Sequence, residues 1–251
     1  MAVAFRQSLR AVADAVAQRM TTVQHEQNTS ILSTPLLYPS GASILVELQR
    51  DRDRFRVSDM GGGFTEASMI GATGIFLANA PKIAKRSGIA FQADAFFVLE
   101  VSENQLVGAA VTVANASKEC MDLTTLRRAE KRYNDAKARL YDRLERVFEK
   151  PNIERDVTII GGSSHEWEVT AIVHLGRQRT IFEPVNNKPV SIYRTVTAFH
   201  DIVRAPSHPQ CVAVVRDKNE LGDSLGLLSQ AGKVVNEDVS DASLREVAAA
   251  A

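Results

Sequence analysis

Residues Thr124 to Glu149 carry one apolar stripe, Leu126, Ala129, Tyr133, Ala136, Leu140, Leu144 and Val147, at steps of three and four. That spacing predicts an amphipathic helix about 39 Å long at 1.5 Å per residue. Pro151 ends it, because proline lacks the amide that a further turn needs. A helix of this length outruns the face of one small core, so it must bridge two bodies or run along the whole of one. The expected organisation is a first domain over residues 1–116, the long helix within 117–150, and a second domain over 151–251. The helix either bridges the two or belongs to the second.

Upstream, Phe5, Leu9, Val12, Val16 and Met20 predict a first amphipathic helix, ended by the polar residues Thr21 to Ser30. Strands are expected over Ser30–Leu37, Ala42–Leu48 and Arg54–Ser58, where apolar and polar residues alternate with period two. Short helices follow at Phe64–Ile70 and Phe76–Arg86, then a hairpin containing Phe91 and the run Phe96–Val101. Ser102, with Gln105 three residues on, forms a capping box for a helix reaching about Lys118. Strands and helices mixed in this way predict an α+β domain.

Downstream the pattern changes. Strands at Asp156–Ile160, Glu166–His174 and Arg179–Val185 come in quick succession. A helix from Pro189 to Val203, a strand Cys211–Val215, a helix from Asp217 to Gln230, a strand Lys233–Val235 and a helix Ser240–Ala249 complete the chain. The expected fold class is α/β, with an α+β first domain and an α/β second domain.

Composition removes several function classes. With 45% hydrophobic and 24% charged residues the 251-residue chain is neither disordered nor collagen-like. Thirty basic residues balance thirty acidic ones, so no overall field attracts a polyanion. No apolar run approaches the roughly eighteen residues of a membrane span, and the first twenty lack a signal-peptide layout. Two cysteines, Cys120 and Cys211, exclude a disulfide framework and a cysteine-only zinc site, and make a reduced cytoplasm the expected location. His165, His174, His200 and His208 match no zinc-ligand spacing.

Two features invite an anionic ligand. Arg127, Arg128, Lys131 and Arg132 form the densest basic cluster, suited to phosphates on a nucleic acid, although pairs such as Asp135–Arg139 and Asp142–Arg146 would make the same helix face a solvated one. Asp59 leads into Gly61-Gly62-Gly63 before a helix, where amides could cradle a phosphate, but the loop lacks the Lys-Ser/Thr of a P-loop. A tight turn needing positive φ is the favoured reading of those glycines.

Thr34-Pro35-Leu36-Leu37-Tyr38, Gly41 and Phe55-Arg56-Val57-Ser58-Asp59-Met60-Gly61 resemble the bacterial family called domain of unknown function 1828. The turn Gly161-Gly162-Ser163-Ser164-His165, the strands beside it and the helix holding His200 and Asp201 resemble its companion, domain of unknown function 1829. The order of elements in the second half is also similar to the restriction-endonuclease-like fold of metal-dependent nucleases. That resemblance implies an acid on the second strand, Glu166 or Glu168, and Glu183 on the third. These three are the candidate Mg²⁺ ligands, supported from the preceding helix by Glu145 or Glu149. The lysine that should follow Glu183 is replaced by Val185, with Pro184 between, and Lys188 is the candidate for a migrated ammonium.

Without that lysine the expected function is noncatalytic: a binding or regulatory protein on a degenerate nuclease-like fold, with a nucleic acid or a protein as partner and no cofactor. Such families suggest a phage-conflict, toxin–antitoxin or mobile-element setting. The alternatives are an active Mg²⁺-dependent nuclease using Glu168, Glu183 and Lys188, and a pure protein-interaction module. No membrane contact is expected, and a homo-oligomer is compatible with the sequence.

Overall fold

The computed structural model describes residues 8–250. The chain divides into two compact units, Met1–Glu130 and Lys131–Ala251. Phe5, at the start of the first expected helix, lies outside the described residues.

In the first unit, α1 (Leu9–Arg19) precedes β1 (Thr22–Glu26), β2 (Thr29–Leu37), β3 (Ser43–Asp51) and β4 (Arg54–Ser58). Helices α2 (Gly62–Met69) and α3 (Thr73–Ser87) and the hairpin β5 (Ala90–Gln92) and β6 (Ala95–Val101) follow. The strands form one antiparallel sheet in the order β1-β2-β3-β4-β6-β5. Alternation decides its faces: Ile44, Val46 and Val57 point into a core with Phe76, Ile83, Phe96 and Val113, while Leu45 on the opposite face stays exposed. Strand β1 was not legible in the sequence, because its five residues are all exposed and give no alternation of burial.

The capping box of Ser102 and Gln105 is present, closing a 3₁₀ turn, Glu103–Gln105. From it α4 runs without a break from Leu106 to Phe148, 43 residues, where two helices separated near residue 120 were expected. Residues 117–123 contain neither glycine nor proline, and Ser117, Cys120, Met121 and Thr124 are buried on one side, so nothing there stops the helix. The division between units consequently falls inside α4, after Glu130, and not at residues 116–117.

The second unit takes the C-terminal part of α4, then β7 (Ile153–Ile160), β8 (Glu166–Leu175), β9 (Gln178–Val185), α5 (Pro189–Ile202), β10 (Gln210–Val215), α6 (Ser224–Ala231), β11 (Lys233–Asn236) and α7 (Asp241–Ala249). The expected helix from Asp217 is split: a 3₁₀ turn, Lys218–Leu221, ends at Gly222 (φ 51°) before α6 begins. The sheet order is β11-β10-β9-β8-β7. Strands β7, β8 and β9 form an antiparallel meander, and β9, β10 and β11 run parallel through the crossovers α5 and α6. The chain is therefore α/β with an α+β first unit, as the order of elements led one to expect. One face of the second sheet packs Val169, Ile181 and Cys211 with Phe199 and Leu228, and the other packs Ala171, Phe182 and Val212 with Leu144 and Leu244. Burial on both faces explains why β10 reads as a continuous apolar run. Among the described residues no helix is long and apolar enough to cross a membrane.

Candidate functional site: a strand fork around Glu183

Strands β8 and β9 are paired from Leu175↔Gln178 to Ala171↔Phe182 and then part. Beyond that point β8 stays with β7 as far as Glu166, and β9 stays with β10 as far as Val185. Glu183 is the first β9 residue past the split, and its carboxylate, 4% exposed, turns into the fork. Oε2 accepts the Thr170 amide at 2.7 Å, and Oε1 accepts the Tyr133 hydroxyl at 3.2 Å. The Arg194 guanidinium of α5 lies 3.5 Å from Oε1 and also donates to the Glu168 carbonyl at 3.2 Å, so it spans both prongs. Tyr141 donates to the Thr170 carbonyl at 2.9 Å. Side chains thus satisfy the main-chain groups that the parted strands leave behind.

Burial pushes the Glu183 carboxyl above the ordinary carboxylate range, against the opposing pull of Thr170, Arg194 and Tyr133. Burial and the nearby Glu183 likewise raise the Tyr133 phenol. These donors take up both oxygens. Chemically the fork is a closed charge-and-hydrogen-bond network.

Glu166 and Glu168 lie on β8, the second strand of the meander, and Glu183 on β9, the third. Glu166 and Glu168 are exposed and open onto a shallow cleft of about 290 Å³ with Thr158, His165, Trp167 and Arg194. Among the described residues no group of three His, Cys, Asp or Glu side chains is placed to hold a metal ion, so the three glutamates do not converge. An inward carboxylate fully engaged by protein donors does not fit a Mg²⁺ ligand, which needs free oxygens. Lys188 is exposed at the cap of α5, with its amide on Asn186 Oδ1 at 3.0 Å; the cation beside Glu183 is Arg194 instead. Glu145, the expected supporting acid, pairs with Arg155 and Lys150, and Glu149 sits beyond the helix end at φ 66°. Tyr133 was legible only as part of the apolar stripe, and Arg194 carried no motif at all.

His200 and Asp201 do not form a catalytic pair. Asp201 turns to the β7–β8 turn, accepting Ser163 N (2.9 Å), Ser163 Oγ (2.7 Å) and Trp167 Nε1 (2.8 Å). The Trp167 and Ser163 donors hold its carboxyl below the usual range. A Cβ on Gly161 would lie 2.0 Å from Asp201 Oδ2, so that glycine serves close approach.

In the first unit Asp59 is 1% exposed and accepts Phe96 N (2.8 Å), Gly61 N (3.1 Å) and Ser117 Oγ (2.6 Å). Ser117 Oγ lies 2.8 Å from the Tyr38 hydroxyl. Burial raises the Asp59 carboxyl, and those donors oppose it. The Gly61 amide, a candidate phosphate donor by sequence, therefore holds an internal carboxylate. A Cβ at Gly63 would meet Ser117 Oγ at 2.7 Å, and Met60 and Gly61 both take positive φ (53° and 73°), which explains the glycines by packing and turn geometry.

The basic face of α4 divides in two. Toward its C-terminal end Lys137 pairs with Asp156, Arg139 with Glu237, and Arg143 with Asp241 at 3.6 Å. Arg139 thus pairs with Glu237 instead of Asp135, and the Asp142–Arg146 pair suggested by spacing does not form among the described residues. Arg127, Lys131 and Arg132 are exposed and in no ion pair among the described residues, while Arg128 is half-buried. No family model, curated protein or solved structure matches this chain.

Proposed function

We propose that the chain is a noncatalytic nucleic-acid-binding protein whose second unit is a degenerate nuclease-like α/β body. The observation that carries this reading is the state of Glu183. The carboxylate at the third-strand position is buried and fully engaged by Tyr133, Thr170 and Arg194. A hydrolytic site keeps its carboxylates open to a cation or a water, whereas this one has become part of the fold. For binding, Arg127 and Lys131, and Arg128 and Arg132, stand four residues apart along α4, the spacing of one helix face. The exposed groups of Arg127, Lys131 and Arg132 gain from phosphates by counterion release.

The test is fluorescence anisotropy with labelled duplex DNA and with single-stranded RNA at salt concentrations between about 50 and 200 mM. Affinity should fall with salt. The triple substitution Arg127→Ser, Lys131→Ser, Arg132→Ser should flatten that dependence. Neither substrate should be cut in Mg²⁺ or Mn²⁺. Absence of binding at low salt, or metal-dependent cleavage lost on Glu183→Ala, would overturn the reading.

A further inference from the structure

Helix α1 and strand β1 leave two unmet requirements side by side in the first unit. Leu9 is 85% exposed, and Val12, Val16 and Met20 are exposed too; no residue of α1 is buried. An 11-residue helix is marginal in water unless its apolar side is covered. At about 100° per residue, Leu9, Val12, Ala13, Val16 and Met20 fall in one stripe, with Arg10, Asp14 and Gln18 on the far side. Ala17 borders the stripe on one side and Ser8 and Arg19 on the other. Strand β1 is the outermost strand of its sheet, with all five residues exposed and one row of main-chain groups without a ladder partner among the described strands. It carries neither the proline nor the lysine that commonly blunts a free edge. Only Met20 and Thr21 separate helix from strand.

We infer that a second copy of this chain covers both: α1 packs antiparallel on its counterpart while β1 pairs with the other copy's β1, continuing the six-stranded sheet across a two-fold axis. Three observations favour this occupant. The stripe itself contains no charge, so a two-fold axis sets apolar residues against their own kind without opposing like charges. The main-chain edge of β1 pairs with any strand, and the strand most reliably carried alongside an α1 helix is another β1. A stable pair buries about 800 Å² per partner, more than four aliphatic side chains supply, so the helix contact requires the neighbouring edge as well. A foreign helix or a foreign strand would meet only one of the two needs.

The experiment is sedimentation equilibrium of the full chain over a wide concentration range, beside Leu9→Glu/Val16→Glu and Val12→Cys. The parent should approach twice its 27.4 kDa mass, and the Glu variant should dissociate at least about tenfold more readily. Because α1 buries nothing, that variant should keep the parent's circular dichroism. Val12→Cys should form a reducible link between copies under mild oxidation, since Cys120 and Cys211 are buried and do not compete. A parent that stays at 27.4 kDa throughout, a dimer unaffected by the Glu pair, or no link between copies of the Val12→Cys variant would each overturn the inference.

Discussion

The Glu183 carboxylate accepts the Thr170 amide at 2.7 Å across the point where β8 and β9 part. A side chain there replaces a main-chain partner. Removing it should show as lost stability. Glu183→Ala leaves the buried Thr170 amide without an acceptor and the Tyr133 hydroxyl with Thr170 Oγ1 alone, and should cost about 3 kcal/mol by urea unfolding. Glu183→Gln keeps an acceptor for the amide and should cost roughly 1 kcal/mol.

Glu183 and Asp201 should give pH dependences of opposite sign. Burial raises the Glu183 carboxyl in the folded chain. The folded state therefore holds that proton longer than the unfolded one, and stability falls as pH rises from about 4.3 through the raised value. Glu183→Gln should remove this decline. Trp167 and Ser163 depress the Asp201 carboxyl, so its contribution is present above about 3.9 and is lost as pH falls through the lowered value. Asp201→Asn should flatten that acid limb. Melting temperatures against pH for the parent and the two variants check both slopes.

A lysine at position 185 should not produce nuclease activity. Val185 is 5% exposed and packs with Ile181 and Ile192 in the core. A lysine there buries a charge, and Val185→Lys should destabilise by about 3 kcal/mol or more without producing cleavage in Mg²⁺.

Ser117→Ala should weaken the first unit. It leaves Asp59 Oδ2 and the Tyr38 hydroxyl without the partner that joins them. The expected cost is about 1–3 kcal/mol in the unfolding transition, since buried polar groups lose their bonds but gain no water.

Within α4, trypsin should cut first between Arg127 and Arg132. No residue from 125 to 132 of α4 is buried, so about two turns of helix ahead of Tyr133 have little to hold them against local opening. Mass spectrometry of a limited digest should find two resistant fragments. First cleavage at residues 116–123, where Ser117, Cys120 and Met121 are buried, would contradict this account.

Local chemistry alone determined much of this protein. Period-two alternation in β3 and β4, the continuous apolar run in β10, the Ser102 capping box and Pro189 at the start of α5 each announce their element, because propensity and neighbours in sequence suffice to form it. The order of those elements was also enough for the class and for setting Glu166, Glu168 and Glu183 on successive strands. Direction and partnership were decided only by the tertiary structure. Glu183 turns inward because the strands diverge beside it and leave the Thr170 amide to satisfy. Arg194, 11 residues further on, meets it only because α5 crosses back over the fork. Arg139 binds Glu237, 98 residues away, instead of Asp135 one turn away. Sequence spacing carries the contacts made within one helix or strand; a buried charge takes whichever donor the packed chain brings within hydrogen-bonding distance.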